Sequence, residues 1–260
     1  MGSGGGRKNF RNVEPITMAT RNSLFFMSAT VLLGVSALLV TPTPAASQAQ
    51  RAQQPPAFPT SIRLGGRAPM AAKTLIGAKG EGFAENWVTR GTQDAAKWTA
   101  QEDGGMLPDK KDITSKSEFG DCFVHVEFKV PTGHGNAGIA FQGRYEVQMY
   151  NSFGEQLTKE TGAAFYSQKP ATFNAAKPAG EWQNYDILFR APRFDAEGKV
   201  TEKARASVFW NGVLVQNNEE FNGPTGIQYG DFKGEVKVGP LVLQGNHDLV
   251  QYKNLWVVSQ

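Results

Sequence analysis

Cysteine is almost absent from this sequence: Cys122 is the only one in 260 residues. A single cysteine excludes an intrachain disulfide and any metal site built from several thiolates. The three histidines show no His-Glu-x-x-His spacing, and no Asp-x-Asp-x-Asp-Gly loop is present. The sequence therefore predicts no metal site, with a structural calcium ion held by carbonyls and scattered aspartates as the alternative.

Most of the chain lacks an excess of basic charge, although the net charge of the whole chain is +3. Residues 1–70 contain seven of the 27 basic residues and one of the 24 acidic residues, so residues 71–260 carry a net charge of −3. Nucleic-acid binding needs concentrated Lys and Arg to neutralise phosphates. No nucleic-acid partner is expected.

A long hydrophobic run occurs at residues 24–40, after Arg21 and before several small residues. This order predicts a signal peptide within residues 1–46, preceded by a glycine-rich extension. A permanent membrane anchor is the alternative, because the run is close to the shortest length that spans a bilayer. We expect cleavage, no stable membrane insertion afterwards, and a periplasmic or secreted bacterial protein. Residues 47–70 are predicted to be a flexible linker, and residues 71–260 the domain.

Helical periodicity is nearly absent from residues 71–260, apart from a turn or two near Thr92–Lys97. Apolar and polar residues instead alternate in Cys122–Val130, as is typical of a half-buried strand. Further predicted strands are Tyr145–Tyr150, Tyr185–Arg190, Ala204–Trp210, Leu241–Gln244 and Asn254–Val258. Asn211-Gly212 between two such segments is a strong hairpin signal. The pattern predicts an all-β antiparallel sandwich or jelly roll.

Several blocks of this region occur, in the same order, in a known protein family. They are Trp98–Leu107, Ser117–Phe128, Gly135–Gln148, Gly180–Asp195, Asn211–Asn217, Gly223–Thr225 and Gly239–Gln244. Together they are similar to the 3-keto-disaccharide hydrolase family. The resemblance implies a concanavalin- or laminin-G-like jelly roll of two curved antiparallel sheets, whose concave face meets carbohydrate. It also implies an exported glycosidase-type hydrolase or lyase that acts on 3-keto-glycosides.

The sequence departs from the family pattern at two places. Asn151 stands where the family often has Asp, which removes a charged ligand or base. Gly245–Asp248 stands where the family often has Asp-His-Gly. The first departure favours the alternative of a non-catalytic carbohydrate-binding module of the same fold. A protein-interaction domain is a further alternative, because fold does not fix function.

Residues 139–150 are predicted to form a hairpin that carries the sugar-binding surface. With Gly143-Arg144 as a two-residue turn, Phe141 is expected opposite Glu146, with Gln148 on the same face. An aromatic ring beside a carboxylate and an amide suits the apolar face and the hydroxyls of a sugar. The alternative is that Glu146 and Gln148 occupy the solvated face of a sheet.

The resemblance to 3-keto-glycoside enzymes assigns roles to these residues. Glu146 is the expected base for the C2 proton, which a C3 ketone acidifies, and Arg144 or His247 would stabilise the enolate or leaving group. Ordinary cleavage by two carboxylates is the alternative. The expected substrate-binding residues are Gln148, Phe141, Gln142, Asp186 and His125.

Two of these residues allow a second interpretation. His125 lies on the polar side of its predicted strand, so it is either solvated or part of the sugar-binding face. Asp186 shares a strand face with Arg190, so it is either a second carboxylate or half of an ion pair. His247 lies in a loop beside Asp248, and loops at the edges of sandwiches often carry sites.

Overall fold

The computed structural model describes residues 66–226 and 230–260, and most of their regular structure is strand. The strands in chain order are β1 (Lys73–Ile76), β2 (Trp87–Thr89), β3 (Thr99–Ala100), β4 (Met106–Leu107), β5 (Ile113–Phe119), β6 (Cys122–Lys129), β7 (Ala137–Phe141), β8 (Tyr145–Met149), β9 (Trp182–Arg190), β10 (Arg193–Phe194), β11 (Val200–Glu202), β12 (Arg205–Trp210), β13 (Val213–Glu220), β14 (Gly239–Leu243) and β15 (Gln251–Ser259). A single helical turn, α1 (Phe83–Asn86), precedes β2. The helical turn predicted near Thr92–Lys97 is wrong, because that segment consists of bends and an isolated bridge.

Two sheets form the sandwich, and every strand pairing among the described residues is antiparallel. The larger sheet has the order β13-β12-β9-β6-β15-β4-β3, and β1 also pairs with β15. The smaller sheet has the order β2-β5-β14-β7-β8. Its neighbours β5 and β14 are far apart in sequence, and such long connections are typical of jelly rolls. The predicted all-β jelly-roll sandwich is confirmed.

The core lies between the two sheets and consists of the apolar side of each alternating strand. In β6 these residues are Val124, Val126 and Phe128, all fully buried. Phe141 of β7 stacks on Phe189 of β9 with ring centroids 4.5 Å apart, so this contact joins the two sheets. Burying one such ring contributes about 1.5–3 kcal/mol to folding.

The Asn211-Gly212 turn joins β12 to β13, as the sequence predicted. Trp210 pairs with Val213 across it, and both turn residues have positive φ, 50° at Asn211 and 83° at Gly212. Asn and Gly tolerate this left-handed backbone better than other residues do, which explains why the dipeptide is a reliable signal.

The predicted signal peptide (1–46) and most of the predicted linker (47–70) lie outside the described residues. Among the described residues, the first strand begins at Lys73. Cys122 is a free thiol buried in the core, and burial raises the pKa of this thiol. Within residues 66–226 and 230–260, no helix is long and apolar enough to cross a membrane.

Candidate active site on the smaller sheet

The turn between β7 and β8 has three residues, Gln142, Gly143 and Arg144, and Phe141 pairs with Tyr145 across it. The predicted two-residue turn is therefore wrong. Gln142 has φ 55° and Gly143 has φ 65°, so two successive residues adopt the left-handed conformation. A Cβ atom on Gly143 would lie 2.4 Å from the ring of Phe232, so this position requires glycine for space as well as for φ.

The extra turn residue shifts the register of the hairpin by one. Ala140 lies opposite Glu146 and Gly138 opposite Gln148, whereas Phe141 points into the core. The predicted position of Phe141 on a sugar-binding surface is therefore wrong. A slip of one residue moves every side chain of a strand to the other face, which is why one misjudged turn residue misplaces the ring.

Glu146 and Gln148 do share one face, as predicted. They alternate with core residues of β8, so they lie on the outer face of the smaller sheet, yet each is only 1% exposed. The backbone of Glu146 is fixed on both sides: its N–H donates to Thr225 Oγ1 at 3.1 Å, and its carbonyl accepts from Tyr166 N–H at 3.3 Å. These side chains therefore occupy a covered surface and not a solvated one.

Gly138 lies at the centre of this surface. A Cβ atom at Gly138 would be 2.4 Å from Glu146 Oε1, so the carboxylate rests directly over the glycine. Gln244 N–H donates to Gly138 O at 3.0 Å, which places Gln244 on the opposite side of the glycine from β8. Because Leu243 lies in the core, alternation turns Gln244 to the outer face. We call Glu146, Gln148 and Gln244 around Gly138 the polar floor.

Two buried amide oxygens of the polar floor have no hydrogen-bond partner among the described residues. They are Gln148 Oε1 and Gln244 Oε1, and Gln244 is 2% exposed. Gln148 Nε2 is occupied, since it donates to Asn136 Oδ1 at 3.0 Å and to Glu160 O at 3.2 Å. An unmade hydrogen bond of this kind costs about 1–3 kcal/mol. The floor therefore presents hydrogen-bond acceptors suited to a ligand with several hydroxyl donors.

The same face continues beyond the floor into a cavity of about 480 Å³. Thr114 of β5 and Phe232 line it, and Thr114 Oγ1 is a further buried atom without a described partner. The volume falls in the range of about 300–1,000 Å³ that is usual for small-molecule sites.

Arg144 holds the loop that borders this face. Its guanidinium donates to the backbone carbonyls of Gly234 and Lys233, the latter at 3.1 Å, and lies 5.5 Å from the ring centroid of Phe232. Burial lowers the pKa of Arg144. Its backbone carbonyl also accepts from Thr225 N–H at 2.8 Å. The predicted catalytic role of Arg144 stays a prediction, while the contacts show it positioning this loop.

Two other predicted residues lie at the margins of the floor. His247 is exposed in the loop after β14, and the neighbouring Asp248 accepts from Asn136 N–H at 2.7 Å through Oδ2. His247 therefore lies at the rim, next to Asp248, which bonds the backbone of Asn136, and Asn136 Oδ1 in turn accepts from Gln148. Gln142 is buried in the turn, where its Nε2 donates to Lys237 O at 3.0 Å. Its predicted contact with substrate stays a prediction.

His125 and Asp186 lie on the other sheet, so the structure does not bring them to the polar floor. They face each other on β6 and β9, on the outer face of the larger sheet, and His125 Nδ1 is 2.7 Å from Asp186 Oδ1. Both are 0% exposed, so the expectation of a half-buried strand is wrong for β6. The predicted Asp186–Arg190 ion pair is also wrong, since Arg190 pairs with Glu202.

The imidazole of His125 has an altered proton affinity. Burial alone would lower its pKa, but the hydrogen bonds to Asp186 and Glu127 outweigh burial and raise the pKa above its ordinary value. The ring also stacks on Trp256 with centroids 5.2 Å apart. These contacts surround the imidazole with protein groups. The His125–Asp186 hydrogen bond links β6 to β9, so the pair connects two strands of the larger sheet.

The sequence analysis missed Gly138 and Gln244 as parts of the site. A glycine inside a strand pattern signals close approach of another group, and this signal was available at Gly138. Gln244 continues the alternation of β14 by one residue, but its proximity to Glu146 depends on the pairing of β14 with β7. No three His, Cys, Asp or Glu side chains gather into a metal-binding group in the described part of the chain.

These features define a class: an antiparallel sandwich that buries one carboxylate and two amides on the outer face of one sheet. Residues 73–258 match the family described as the 3-keto-alpha-glucoside-1,2-lyase-like domain, and the chain belongs to this family. The family resemblance predicted from the sequence is confirmed. No curated protein matches this chain by sequence.

Three crystal structures from Parabacteroides distasonis ATCC 8503, each named a "putative glycosyl hydrolase", are similar to this chain. One is 29% identical with a TM-score of 0.63, and the match covers 74% of this chain and 85% of that one. A second is 15% identical with a TM-score of 0.53, covering 73% and 94%. A third is 19% identical with a TM-score of 0.51, covering 73% and 99%. The second and third show the fold alone.

Proposed function

We propose that this protein is a carbohydrate-active enzyme that cleaves glycosides whose sugar ring carries a ketone at C3. Membership of the 3-keto-alpha-glucoside-1,2-lyase-like family supports this class of substrate, and the similar Parabacteroides distasonis protein, named a putative glycosyl hydrolase, supports action on glycosides. The observation that carries the proposal is the polar floor, where a buried carboxylate lies between two amide oxygens that lack partners among the described residues. Sugar hydroxyls are donors of the kind that these oxygens need.

The proposed reaction begins with proton transfer to Glu146. The ketone acidifies the hydrogen at C2, and the Glu146 carboxylate removes it as a general base. A double bond forms between C1 and C2 as the bond from C1 to the aglycone oxygen breaks, and the aglycone leaves with a proton. Water then adds across the double bond, which restores the 3-keto sugar and completes a net hydrolysis.

The floor supports elimination better than cleavage by two carboxylates. Two-carboxylate glycosidases place their acids about 5–9.5 Å apart on either side of the scissile bond. Asp186, which the sequence offered as either a second carboxylate or half of an ion pair, lies on the larger sheet in contact with His125. Glu146 is the single carboxylate among the three side chains of the polar floor.

We assign supporting roles to the neighbouring residues. Gln148 and Gln244 accept hydrogen bonds from substrate hydroxyls and hold the ring so that C2 faces Glu146. His247 at the rim supplies the proton to the leaving oxygen, and Arg144 keeps the bordering loop in place. We propose that the reaction needs no metal ion, so a chelator should leave turnover unchanged.

The experiment is incubation of the purified full chain with a 3-keto-disaccharide, with and without chelator, while released reducing sugar is measured. The Glu146→Gln variant should lose turnover by about 10²–10⁴-fold, the usual contribution of a general base. Its affinity for substrate should change little. Glu181→Gln is the matched control, because Glu181 is an exposed carboxylate just before β9 on the larger sheet.

Other outcomes would change the proposal. Undiminished turnover in Glu146→Gln would remove Glu146 from the role of base. If a chelator abolished turnover, the reaction would require a metal ion and the metal-free mechanism would be wrong. Binding of the disaccharide without turnover on any 3-keto-glycoside would favour the carbohydrate-binding module.

We also propose that the protein is exported and that its signal peptide is cleaved near residues 46–50. The proposal rests on the hydrophobic run at 24–40 and the small residues that follow it. Amino-terminal sequencing of exported material checks this expectation. Retention of residues 24–40 in a membrane fraction would support an anchor instead.

A further inference from the structure

Two tyrosines of the larger sheet reach across the core to the backbone of the polar floor. Tyr185 lies on β9 and Tyr252 on β15, and both are fully buried. The hydroxyl of Tyr185 donates to Gln148 O at 2.8 Å. The hydroxyl of Tyr252 donates to Gln244 O, also at 2.8 Å. None of the roles proposed above uses either hydroxyl.

The strand order explains why two tyrosines meet two glutamines. In the larger sheet, β9 and β15 lie on either side of β6. In the smaller sheet, β8 and β14 lie on either side of β7, which carries Gly138, and Gln244 directly follows β14. Two strand spacings amount to about 9–10 Å in either sheet, so the separation of the tyrosines matches that of the glutamines. Each tyrosine therefore faces one glutamine across the sandwich.

Both hydroxyls are fixed as hydrogen-bond donors. Burial raises the pKa of Tyr185 and of Tyr252, and at Tyr252 the negative charges of Asp112 and Glu146 raise the pKa further. A protonated phenol donates one hydrogen bond, here to a floor carbonyl, and can accept another. Tyr185 Oη accepts from Ala163 N–H at 2.7 Å. These bonds persist over the whole pH range in which the protein is folded.

The glutamines of the floor need such support, because their own amide oxygens do not hold them in place. Gln148 Oε1 and Gln244 Oε1 are buried without a described partner. An unsatisfied buried oxygen favours any movement that brings it to a donor. A hydrogen bond to the backbone carbonyl of the same residue resists this movement and leaves the side-chain oxygen available to a ligand.

We propose that Tyr185 and Tyr252 are positioning residues, which hold the two amide acceptors of the polar floor at a fixed separation across Gly138. Each hydroxyl fixes the backbone from which one glutamine projects. A ligand with several hydroxyls binds more tightly when its acceptors are already in place, because less ordering is needed on binding. The inference rests on the proposed function for its ligand, and it adds that the larger sheet sets the binding geometry of the smaller one.

A double-variant comparison tests whether each tyrosine acts through its own glutamine. Tyr252→Phe removes only the hydroxyl and should weaken binding of a 3-keto-disaccharide to Glu146→Gln protein by about 3–10-fold. In protein that also carries Gln244→Leu, Tyr252→Phe should weaken binding no further, because the amide through which it acts is already lost. Tyr185→Phe should keep its full effect in that protein. A tyrosine that only stabilised the core would act equally with and without Gln244→Leu.

Trp87→Phe is the control for a general loss of core stability. Trp87 is buried on β2, at the opposite edge of the smaller sheet from β8, and its Nε1 donates to Leu75 O at 3.1 Å. This variant should unfold at a lower temperature and bind the disaccharide within about 2-fold of the parent protein. Equal losses from Tyr252→Phe with and without Gln244→Leu, or no loss from either tyrosine variant, would overturn the proposal.

Amide hydrogen exchange separates failure of this proposal from failure of the proposed function, because it needs no ligand. The N–H groups of Gln244 and Gln148 donate to backbone carbonyls at 3.0 Å and 2.9 Å. Tyr252→Phe should speed exchange at Gln244 by about 10-fold and leave Gln148 within about 2-fold, and Tyr185→Phe should do the reverse. This pattern would support the positioning roles even if the wild-type protein bound no 3-keto sugar. Unchanged exchange, or faster exchange throughout the core, would overturn them.

Discussion

On the outer face of the larger sheet, the buried His125 and Asp186 bond to each other at 2.7 Å. On the outer face of the smaller sheet, the equally buried Gln148 and Gln244 each leave an amide oxygen without a described partner. Other buried atoms lack described partners, Trp256 Nε1 on the larger sheet among them. Gln148 and Gln244 differ from these because they lie on either side of Gly138, over which the Glu146 carboxylate rests.

The comparison distinguishes buried polar groups that stabilise the fold from buried polar groups that are available to bind a ligand. A buried polar group with a partner gives a net benefit of about 0.5–3 kcal/mol, whereas an unpartnered one costs a similar amount. Residues that break the rules of stable folding are expected where function requires them. We therefore infer that His125 and Asp186 stabilise the fold. The unpartnered amides of the polar floor lower stability and are available to bind a ligand.

The largest effect that would test this comparison is expected from Gly138→Ala. The added Cβ would lie 2.4 Å from Glu146 Oε1, so the carboxylate must move. Displacing a catalytic group by about 1 Å can cost about 100-fold in rate, while overpacking costs about 1–3 kcal/mol in stability. We expect turnover to fall by about 100-fold in a protein that still folds, as measured by steady-state kinetics and thermal unfolding.

The double variant Gly138→Ala/Glu146→Gln shows whether the glycine acts through Glu146. If it does, the double variant should be no slower than Glu146→Gln alone, because the moved group has already lost its function. A further 100-fold loss in the double variant would mean that Gly138 has a separate role.

A smaller effect, on stability and not on rate, is expected from Asp186→Asn. The pKa of His125 is raised in the folded protein, so the pair's contribution is complete below the ordinary pKa of about 6.5 and is lost as the pH rises through the raised value. Asp186→Asn should lower the free energy of unfolding by about 2 kcal/mol at about pH 6. The difference in stability between the variant and the wild-type protein should become smaller as the pH rises to about 9.

Urea unfolding of both proteins across this pH range measures the difference, and turnover serves as the control. Turnover per folded molecule should be unchanged, since Asp186 lies on the sheet opposite the floor. A loss of turnover with unaltered stability would mean that Asp186 takes part in the reaction. It would contradict the assignment of structural and binding roles to different sheets.

The smallest effects are expected from a matched pair, Gln244→Leu and Gln183→Leu. Gln244 Oε1 has no described partner, so Gln244→Leu removes a buried unsatisfied group and should raise the free energy of unfolding by about 1 kcal/mol, while weakening substrate affinity by about 3–10-fold. Gln183 Oε1 accepts from Trp210 Nε1 at 3.0 Å, so Gln183→Leu should cost about 1 kcal/mol without changing affinity. Denaturation and substrate titration of the two variants measure both quantities. The reverse pattern would show that Gln244 is structural.

Much of the fold follows from local signals in the sequence. Alternation in Cys122–Val130 identified β6. Asn211-Gly212 located a hairpin, because both turn residues adopt the left-handed backbone conformation, which few other pairs of residues tolerate. Alternation along β8 also predicted that Glu146 and Gln148 lie on the same face. These features depend on residues close in the chain, so periodicity reports them.

The composition of the site depended on contacts between distant residues. Gln142 adopts a left-handed conformation in the turn, and Phe232, far along the chain, packs over Gly143. Nothing local distinguishes this three-residue turn from the two-residue turn that the glycine suggested, yet the difference moved Phe141 into the core.

The sequence by itself determined the strands β6–β9 and β12–β15, the family, and the presence of Glu146 and Gln148 on one face. The tertiary structure decided which sheet each candidate joined. It placed His125 with Asp186 on the larger sheet, and it brought Gln244 to Gly138 by pairing β14 with β7. The physical reason is that side-chain alternation is a property of a single strand, whereas strand register and sheet membership are fixed by hydrogen bonds between segments far apart in the chain.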